Sequence, residues 1–329
     1  MDNRKEIKGL NVKKEALEAE KRIRQHIRET PVEYSPYLSL LGGCKVFLKL
    51  ENLQLTGCFK FRGAMNKFLS LSKKQKERGI VTASSGNHGI AVAYLLDKFH
   101  TKGTIYLPEY ASQAKIEALR LYGADLKLYG DDCVKTEALA RETAERNGLE
   151  YISSYNDPKI VGGQATVGIE LARQVEKIDT VLAPIGGGSL IAGIAGYLKS
   201  VNKNVEIIGC QPKNSAVMYE SIKAGKIIKI KSKSTISDGS AGGIEPGSVT
   251  FDICKDFVDD FILVTEDEIK EAIRFFLEKH YMLVEGAGAL SVASFIKARG
   301  RFRNKNIVLI ISGAKITLDA LKEILCKED

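Results

Sequence analysis

A lysine between two aromatic residues is the first feature of this sequence that could do chemistry. Lys60 lies between Phe59 and Phe61, just after a Thr-Gly pair. Partial burial disfavours the ammonium form and lowers the pKa of the amine, and the free amine is the form that condenses with an aldehyde. The pattern predicts a Schiff-base lysine. A lysine that extends its charge to solvent from an apolar helix face would have the same local sequence.

Two glycine-containing loops, each between a strand-like and a helix-like run, indicate a second kind of chemistry. They are residues 82–89 (TASSGNHG) and residues 184–190 (PIGGGSL). A polar loop before a helix presents free backbone N–H groups to a carboxylate or phosphate, and consecutive glycines let the backbone approach closely. Either loop alone is common in α/β proteins, but together with Lys60 they favour the chemical interpretation.

With these motifs the sequence resembles the pyridoxal-phosphate enzymes of fold type II, within them the branch of threonine/serine dehydratases (ammonia-lyases) and serine racemases. The resemblance is carried by residues 56–64 (TGCFKFRGA), 84–89 (SSGNHG), 186–189 (GGGS) and 311–313 (ISG), in the family's order and spacing. It implies pyridoxal 5'-phosphate as cofactor. It also implies an α/β fold of two open, twisted, mainly parallel sheets flanked by helices, like that of the tryptophan synthase β-subunit.

The resemblance also implies roles for individual residues. Lys60 would hold the cofactor and take the α-proton, and Ser85 would stand on the opposite face of the substrate as the second catalytic residue. The cofactor contacts would be Phe59, Lys60, Asn87, Gly186, Gly187, Gly188, Ser189, Leu190 and Ser312, and the substrate contacts would be Ser84, Ser85, Gly86, Asn87, His88 and Asn156.

Ser312 matches the serine that faces the pyridine nitrogen in this family, and a serine does not force that nitrogen to be protonated. The cofactor is then a weaker electron sink, which favours prompt loss of a β-substituent. The resemblance therefore implies a threonine/serine dehydratase that converts a β-hydroxy L-amino acid into a 2-oxo acid and ammonia. A serine racemase and a 3-hydroxyaspartate-type ammonia-lyase are the alternatives. A protein that binds the cofactor without catalysis is a remoter one.

Four residues, at three places in the chain, depart from the family pattern. Cys58 replaces a serine, Ser189 replaces a fourth glycine, and the pair Ala314-Lys315 replaces Gly-Asn. The first two substitutions introduce small residues that the site should tolerate. Lys315 could face solvent, or it could attract a second carboxylate, as a hydroxyaspartate substrate would require.

We expect no metal site. Some relatives bind a divalent cation through a glutamate in a G-x-E-P turn, but the corresponding residues 209–212 are GCQP, with Gln211 in place of the glutamate and Lys213 next to the turn. Hard cations prefer anionic oxygen ligands, which this stretch does not offer.

Composition limits the possible partners and locations. The chain has 329 residues, 44% hydrophobic and 27% charged, enough for a substantial core. We expect a cytoplasmic protein without a signal peptide or membrane span, and the six scattered cysteines predict neither a zinc site nor a disulfide framework. The net charge of +8 includes a lysine run over residues 223–233, which lacks interleaved aromatics and predicts a solvated surface without nucleic-acid binding. The expected partner is a small amino-acid substrate, and the resemblance implies a homodimer or homotetramer.

Strand-like and helix-like runs alternate along the chain after residue 45, which is typical of parallel sheets covered by helices. An amphipathic pattern predicts a helix over residues 12–27, and the Gly/Ser-rich residues 237–247 predict a mobile or ligand-facing loop. The resemblance implies a small domain, residues 54–151, inserted into a larger domain made of residues 1–53 and 152–329.

Overall fold

The computed structural model describes residues 10–326 except 85, 110, 112, 131 and 132. The helices are α1 (Val12–Ile23), α2 (Pro36–Gly42), α3 (Lys60–Ser70), α4 (Lys73–Arg78), α5 (Asn87–Lys98), α6 (Gln113–Arg120), α7 (Cys133–Asn147), α8 (Pro158–Gln174), α9 (Ser189–Val201), α10 (Val217–Lys223), α11 (Val249–Phe257), α12 (Glu266–His280), α13 (Gly286–Ala298) and α14 (Leu318–Leu325). The strands are β1 (Val32–Tyr34), β2 (Lys45–Lys49), β3 (Ile80–Ala83), β4 (Gly103–Leu107), β5 (Asp125–Leu128), β6 (Glu150–Tyr151), β7 (Thr180–Pro184), β8 (Glu206–Pro212), β9 (Asp260–Val264) and β10 (Asn306–Ile310).

The strands form two sheets. The large sheet has the order β1-β2-β10-β7-β8-β9, in which β1 is antiparallel to β2 and the other pairs are parallel. The small sheet has the order β5-β4-β3-β6 and is wholly parallel. All five residues of β7 are buried, as expected of a strand covered by helices on both faces. The predicted fold class, two mainly parallel sheets flanked by helices, is confirmed.

Close helix packing positions the helix that begins with Lys60. A β-carbon on Gly163 of α8 would lie 2.6 Å from the α-carbon of Gly63 in α3, so the two helices approach at a distance that only glycine allows at these positions. A similar contact joins α9 to α8, where a β-carbon on Gly193 would lie 2.6 Å from the backbone nitrogen of Ala165. The large core of the protein therefore supports the first turn of α3 directly.

A buried ion network also fixes the first turn of α3. Arg62, two residues after Lys60, donates to Oε2 of Glu51 at 2.7 Å and to Oε1 of Glu170 at 2.7 Å, and Lys49 also pairs with Glu170. All four side chains are fully buried. Burial alone would raise the pKa of Glu170, but Arg62 and Lys49 outweigh it and lower that pKa to about 2. The carboxylate therefore stays charged and holds Arg62 in place.

The helix expected over residues 12–27 is shorter in the structure. The α-helix ends at Ile23, and a 3₁₀ turn, Arg24–His26, follows it. Arg24 lies in that turn and donates to the buried Glu170 at 2.9 Å, so the chain turns toward the ion network instead of continuing as a helix. Within the described residues, no helix is both long and apolar enough to cross a bilayer.

Candidate active site

Lys60 is the first residue of α3, and its amine lies inside the protein although the residue as a whole is half-buried. Its Nζ donates to the carbonyl oxygen of Ser154 at 2.7 Å and lies 5.3 Å from the centre of the Phe59 ring. Burial lowers the pKa of the amine, against the opposing effects of Cys58, Glu137 and Glu285. The structure thus supplies the lowered pKa that the aromatic neighbours predict.

Backbone pairing brings the Lys60 segment beside Ser312. Cys58 and Gly313 form an antiparallel β-bridge, and the backbone nitrogen of Phe59 donates to the carbonyl oxygen of Ser312 at 3.2 Å. Ser312 itself is buried. Phe59 and Ser312, two predicted site residues that are 253 positions apart in the chain (312 − 59), are therefore in direct contact.

The Gly186 loop follows β7 and ends where α9 begins. A β-carbon on Gly186 would lie 2.9 Å from the backbone of Ser240, one on Gly187 would collide with the ring of Tyr155, and Gly188 has a φ of +91°. Each of these three positions therefore requires glycine, for close approach or for backbone conformation. Ser189 starts the helix, and its buried hydroxyl oxygen has no hydrogen-bond partner within the described part of the chain.

The loop of residues 84–88 begins at the carboxyl end of β3 and runs into α5. Ser84 accepts a hydrogen bond from the backbone nitrogen of Gly86 at 3.2 Å, and a β-carbon on Gly86 would meet nothing within 4 Å. His88 is buried, and its Nε2 lies 3.1 Å from the carbonyl oxygen of Ile152. Burial and the nearby Lys60 lower the pKa of His88 to about 3, so its ring is neutral and anchors the loop. Ser85 lies outside the described residues.

Glu285 is a site residue that the sequence analysis missed. Nδ2 of Asn87 lies 2.9 Å from its Oε1 and 2.8 Å from its Oε2, and the backbone nitrogen of Lys315 donates to Oε2 at 3.2 Å. Burial raises the pKa of this carboxyl to about 7, against the opposing effects of Asn87 and Lys315. An acidic residue directly before a run of small residues (GAGA) that opens a helix was the available signal.

Asn156 lies at the edge of the site, and both ends of its side chain are engaged. Its Oδ1 accepts from the backbone nitrogen of Val249 at 3.0 Å, and its Nδ2 donates to Glu245 at 3.2 Å. Tyr155, which the sequence analysis also missed, packs its ring on Gly187 and accepts a hydrogen bond from the backbone nitrogen of Glu245 at 2.9 Å. The residues after position 244 therefore border the Gly186 loop.

The segment of residues 237–247 borders the Gly186 loop, and its contact with a ligand stays a prediction. Ser237 and Ser240 are buried, and Ser240 packs against Gly186.

Two other residues that the sequence analysis discussed are Lys315 and Gln211. Lys315 is exposed, with its side chain over Gly57. Gln211 is buried, its Nε2 donates to the carbonyl oxygen of Ile185 at 3.1 Å, and its Oε1 accepts from the backbone nitrogen of Tyr219 at 2.9 Å.

These residues fit pyridoxal 5'-phosphate. The unpartnered hydroxyl of Ser189 lies at the amino end of a helix of 13 residues, where a phosphate is stabilised by free N–H groups. The buried Oδ1 of Asn87 likewise has no partner among the described residues. The buried amine of Lys60, whose pKa is lowered, is the kind of group that an aldehyde carbon requires.

The comparison with protein families agrees with this fit. The family model described as "Pyridoxal-phosphate dependent enzyme" matches residues 23–313. This chain belongs to that family. It is an enzyme that uses pyridoxal 5'-phosphate, and its two sheets are those of fold type II.

Relatives within the family are dehydratases and racemases. The chain is 40% identical over 314 residues to the catabolic L-threonine dehydratase of Staphylococcus aureus, a match that covers 94% of this chain and 90% of the relative. The solved structure of threonine deaminase isoform 2 from Solanum lycopersicum is 33% identical, with a TM-score of 0.89 and coverage of 95% and 92% of the two chains. Maize serine racemase is also 33% identical, with a TM-score of 0.88 and coverage of 95% and 96%.

Proposed function

We propose that this enzyme is an ammonia-lyase that converts a β-hydroxy L-amino acid, L-threonine or L-serine, into a 2-oxo acid and ammonia by α,β-elimination. The observation that carries the proposal is the amine of Lys60, which is held inside the protein with a lowered pKa and donates to the carbonyl oxygen of Ser154. The names of the dehydratase and deaminase relatives support L-threonine as a substrate.

In this proposal the chain holds the cofactor at five places. Lys60 binds its aldehyde carbon, and the backbone of Gly186, Gly187, Gly188, Ser189 and Leu190, with the Ser189 hydroxyl, binds its phosphate. Ser312 faces its pyridine nitrogen, Asn87 contacts its phenolic oxygen, and Phe59 packs on its ring. The geometry of the Ser312, Gly313 and Cys58 backbone supports this arrangement.

The remaining chemistry is proton transfer by residues of this chain. The bound cofactor supplies the electron sink that acidifies the α-carbon of the substrate. Lys60 accepts the α-proton, because burial lowers the pKa of its amine and so favours the neutral form that a base requires. The backbone N–H groups from Ser84 to His88 hold the substrate carboxylate at the start of α5. The β-hydroxyl takes up a proton and leaves as water, and hydrolysis of the resulting enamine gives the 2-oxo acid and ammonia.

A serine racemase is the second candidate, and the maize structure supports it. Racemisation requires an acid on the face of the substrate opposite Lys60, and Ser85 is the residue that the sequence motif offers for that role.

We also propose the division into a small domain of residues 54–151 and a larger one of residues 1–53 and 152–329, since β3 to β6 and the other strands form separate sheets. A cytoplasmic homodimer or homotetramer that takes part in amino-acid catabolism completes the proposal. The cysteines whose side chains are described are free thiols, as in a reducing compartment. Leu40 and Tyr281 are 87% and 82% exposed, which favours a surface covered by another copy.

The test is an assay of 2-oxo acid release by the purified enzyme loaded with pyridoxal 5'-phosphate. We expect turnover of L-threonine and L-serine, with one ammonia released for each 2-oxo acid. Formation of D-serine from L-serine without 2-oxo acid would favour the racemase, and a protein that binds the cofactor but turns over neither amino acid would refute both.

A further inference from the structure

Two carboxyl groups that the sequence analysis did not single out lie near the site: Glu137 interacts electrostatically with Lys60, and Glu245 contacts Tyr155 and Asn156. Glu137 lies on α7, and Glu245 lies just before α11. Oε2 of Glu245 accepts from Arg141 at 2.7 Å and from Asn156 at 3.2 Å. Its Oε1 is buried and has no hydrogen-bond partner in the part of the chain that the structure describes. One oxygen of Glu245 is thus fixed by the protein, and the other remains available.

Glu137 interacts electrostatically with both Glu245 and Lys60. Burial first, and then the negative charge of Glu245, raise the pKa of Glu137 to about 7, while Lys60 and Arg141 oppose that rise. Tyr151 and Tyr155 also lie within electrostatic range, and the guanidinium of Arg141 lies 4.5 Å from the centre of the Tyr151 ring. Arg141 therefore contacts both Glu245 and Tyr151. Among the described residues, this side of the site contains two carboxyl groups and one cation, and that cation is already paired with Glu245.

The contacts of Tyr155 show where Glu245 lies relative to the Gly186 loop. The ring of Tyr155 packs on Gly187, and its hydroxyl accepts from the backbone nitrogen of Glu245. Glu245 therefore borders the proposed phosphate loop, and Glu137 interacts electrostatically with Glu245 and with Lys60. The substrate carboxylate, in contrast, is proposed to bind at the start of α5. Asn156, a proposed substrate contact, also donates to Glu245, which puts this carboxyl next to the proposed position of the substrate.

We propose that Glu137 and Glu245 form the wall of the subsite for the β-substituent, that they accept a group that donates hydrogen bonds, such as a hydroxyl or an ammonium, and that they exclude a β-carboxylate. This inference rests on the proposed function, since it assumes that Lys60 acts on the α-carbon. A third carboxylate brought beside these two would be repelled in a partly buried site, where water screens charges weakly. Lys315 does not compensate, because it is exposed and its side chain lies over Gly57.

L-asparagine and L-aspartate provide a direct test, since they have nearly the same shape and differ in the charge of the β-substituent. Their binding to the enzyme loaded with pyridoxal 5'-phosphate is measured by titration calorimetry at pH 6 and pH 8. We expect L-asparagine to bind at least about tenfold more tightly at pH 8, a difference of about 1.4 kcal/mol. The preference should shrink at pH 6, because Glu137 gains a proton as the pH falls through about 7.

Glu137→Gln should remove most of the preference and its pH dependence. Glu142→Gln is the matched control, because Glu142 lies on the same helix and pairs with the exposed Arg146 at 3.3 Å. The control should bind the two amino acids as the unaltered enzyme does. If Glu137→Gln does not fold, the pH dependence of the unaltered enzyme still decides the matter.

Equal affinity of the unaltered enzyme for L-asparagine and L-aspartate would overturn the inference, as would a preference that Glu137→Gln leaves unchanged. Turnover separates this result from the main proposal. Release of 2-oxo acid from L-serine, but not from threo-3-hydroxyaspartate, supports both proposals. Equal turnover of the two substrates refutes only the proposal that the site excludes a β-carboxylate. If nothing is turned over, the ammonia-lyase fails, and the binding ratio still tests the acidic wall.

Discussion

Nδ2 of Asn87 lies 2.9 Å from Oε1 and 2.8 Å from Oε2 of Glu285, so that one amide group binds both oxygens of a buried carboxyl. Asn87 begins α5 beside the small sheet, and Glu285 directly precedes α13 beside the large one. This contact therefore joins the two halves of the site. It also holds a carboxyl whose pKa burial raises to about 7 at the place where Asn87 is proposed to contact the cofactor.

Glu285→Gln should make the stability of the cofactor-free protein less dependent on pH. The unfolded carboxyl loses its proton near its ordinary pKa of 4.5, and the folded one near 7, so the free energy of unfolding falls as the pH rises from 4.5 to 7. Glutamine does not titrate, and the variant should gain up to about 3 kcal/mol relative to the unaltered protein between pH 4 and pH 8, at about 1.4 kcal/mol per pKa unit. Urea unfolding at the two pH values measures this gain. Glu278→Gln, at an exposed position, is the control, and parallel pH curves for Glu285→Gln and the unaltered protein would contradict the prediction.

Lys60→Ala should abolish the visible absorbance of lysine-bound cofactor and lower kcat by several orders of magnitude. Both cofactor attachment and α-proton transfer are assigned to this amine. Lys73→Ala, at a 92% exposed position, should change neither quantity. Near-normal turnover by Lys60→Ala would show that another residue is the base.

Ser85→Ala separates the two candidate activities. Elimination requires only the base on the Lys60 face, whereas racemisation requires an acid on each face, so the substitution should reduce L-to-D conversion of serine far more than 2-oxo acid release. Chiral chromatography of the serine, together with the 2-oxo acid assay, provides both rates. An equal loss in both would argue against the assignment of Ser85 to the second face.

Gly187→Ala should weaken cofactor binding by about tenfold or more, which corresponds to a loss of about 1.4 kcal/mol or more of binding free energy. The new β-carbon would lie 2.5 Å from Cδ1 of Tyr155, and the ring would have to leave the loop. Gly300→Ala is the control, because a β-carbon there would meet nothing within 4 Å. Fluorescence titration of the cofactor-free proteins measures both affinities, and an unchanged affinity in Gly187→Ala would place the phosphate elsewhere.

EDTA should leave activity and melting temperature unchanged, and Mg²⁺ or Ca²⁺ should raise neither. Gln211 offers no anionic ligand, and both polar atoms of its side chain are bound to backbone groups of Ile185 and Tyr219. Activity and thermal melts with millimolar divalent cation test this directly. Several-fold activation that Gln211→Ala abolishes would reveal a metal site at this turn.

The sequence predicted those parts of the site in which the chemistry is carried by neighbouring residues. A lysine between aromatics, three consecutive glycines before a helix and a polar loop after a strand each impose their local geometry, because backbone conformation and helix ends depend on a few adjacent residues. Strand alternation likewise predicted two mainly parallel sheets. The early end of α1 was not predictable in this way, since it depends on a contact between Arg24 and Glu170, 146 positions away.

The sequence by itself determined the family and its cofactor, and it predicted the role of Lys60 and of the glycine loop before α9. Only the tertiary structure decided which charged groups surround that lysine. Glu285 contacts Asn87, which is 198 positions away in the chain, and Glu245 contacts Arg141, which is 104 positions away. No local sequence pattern could predict either contact. The physical reason is that an electrostatic environment depends on distance in space and on burial, both of which arise only when the two sheets and their helices pack together.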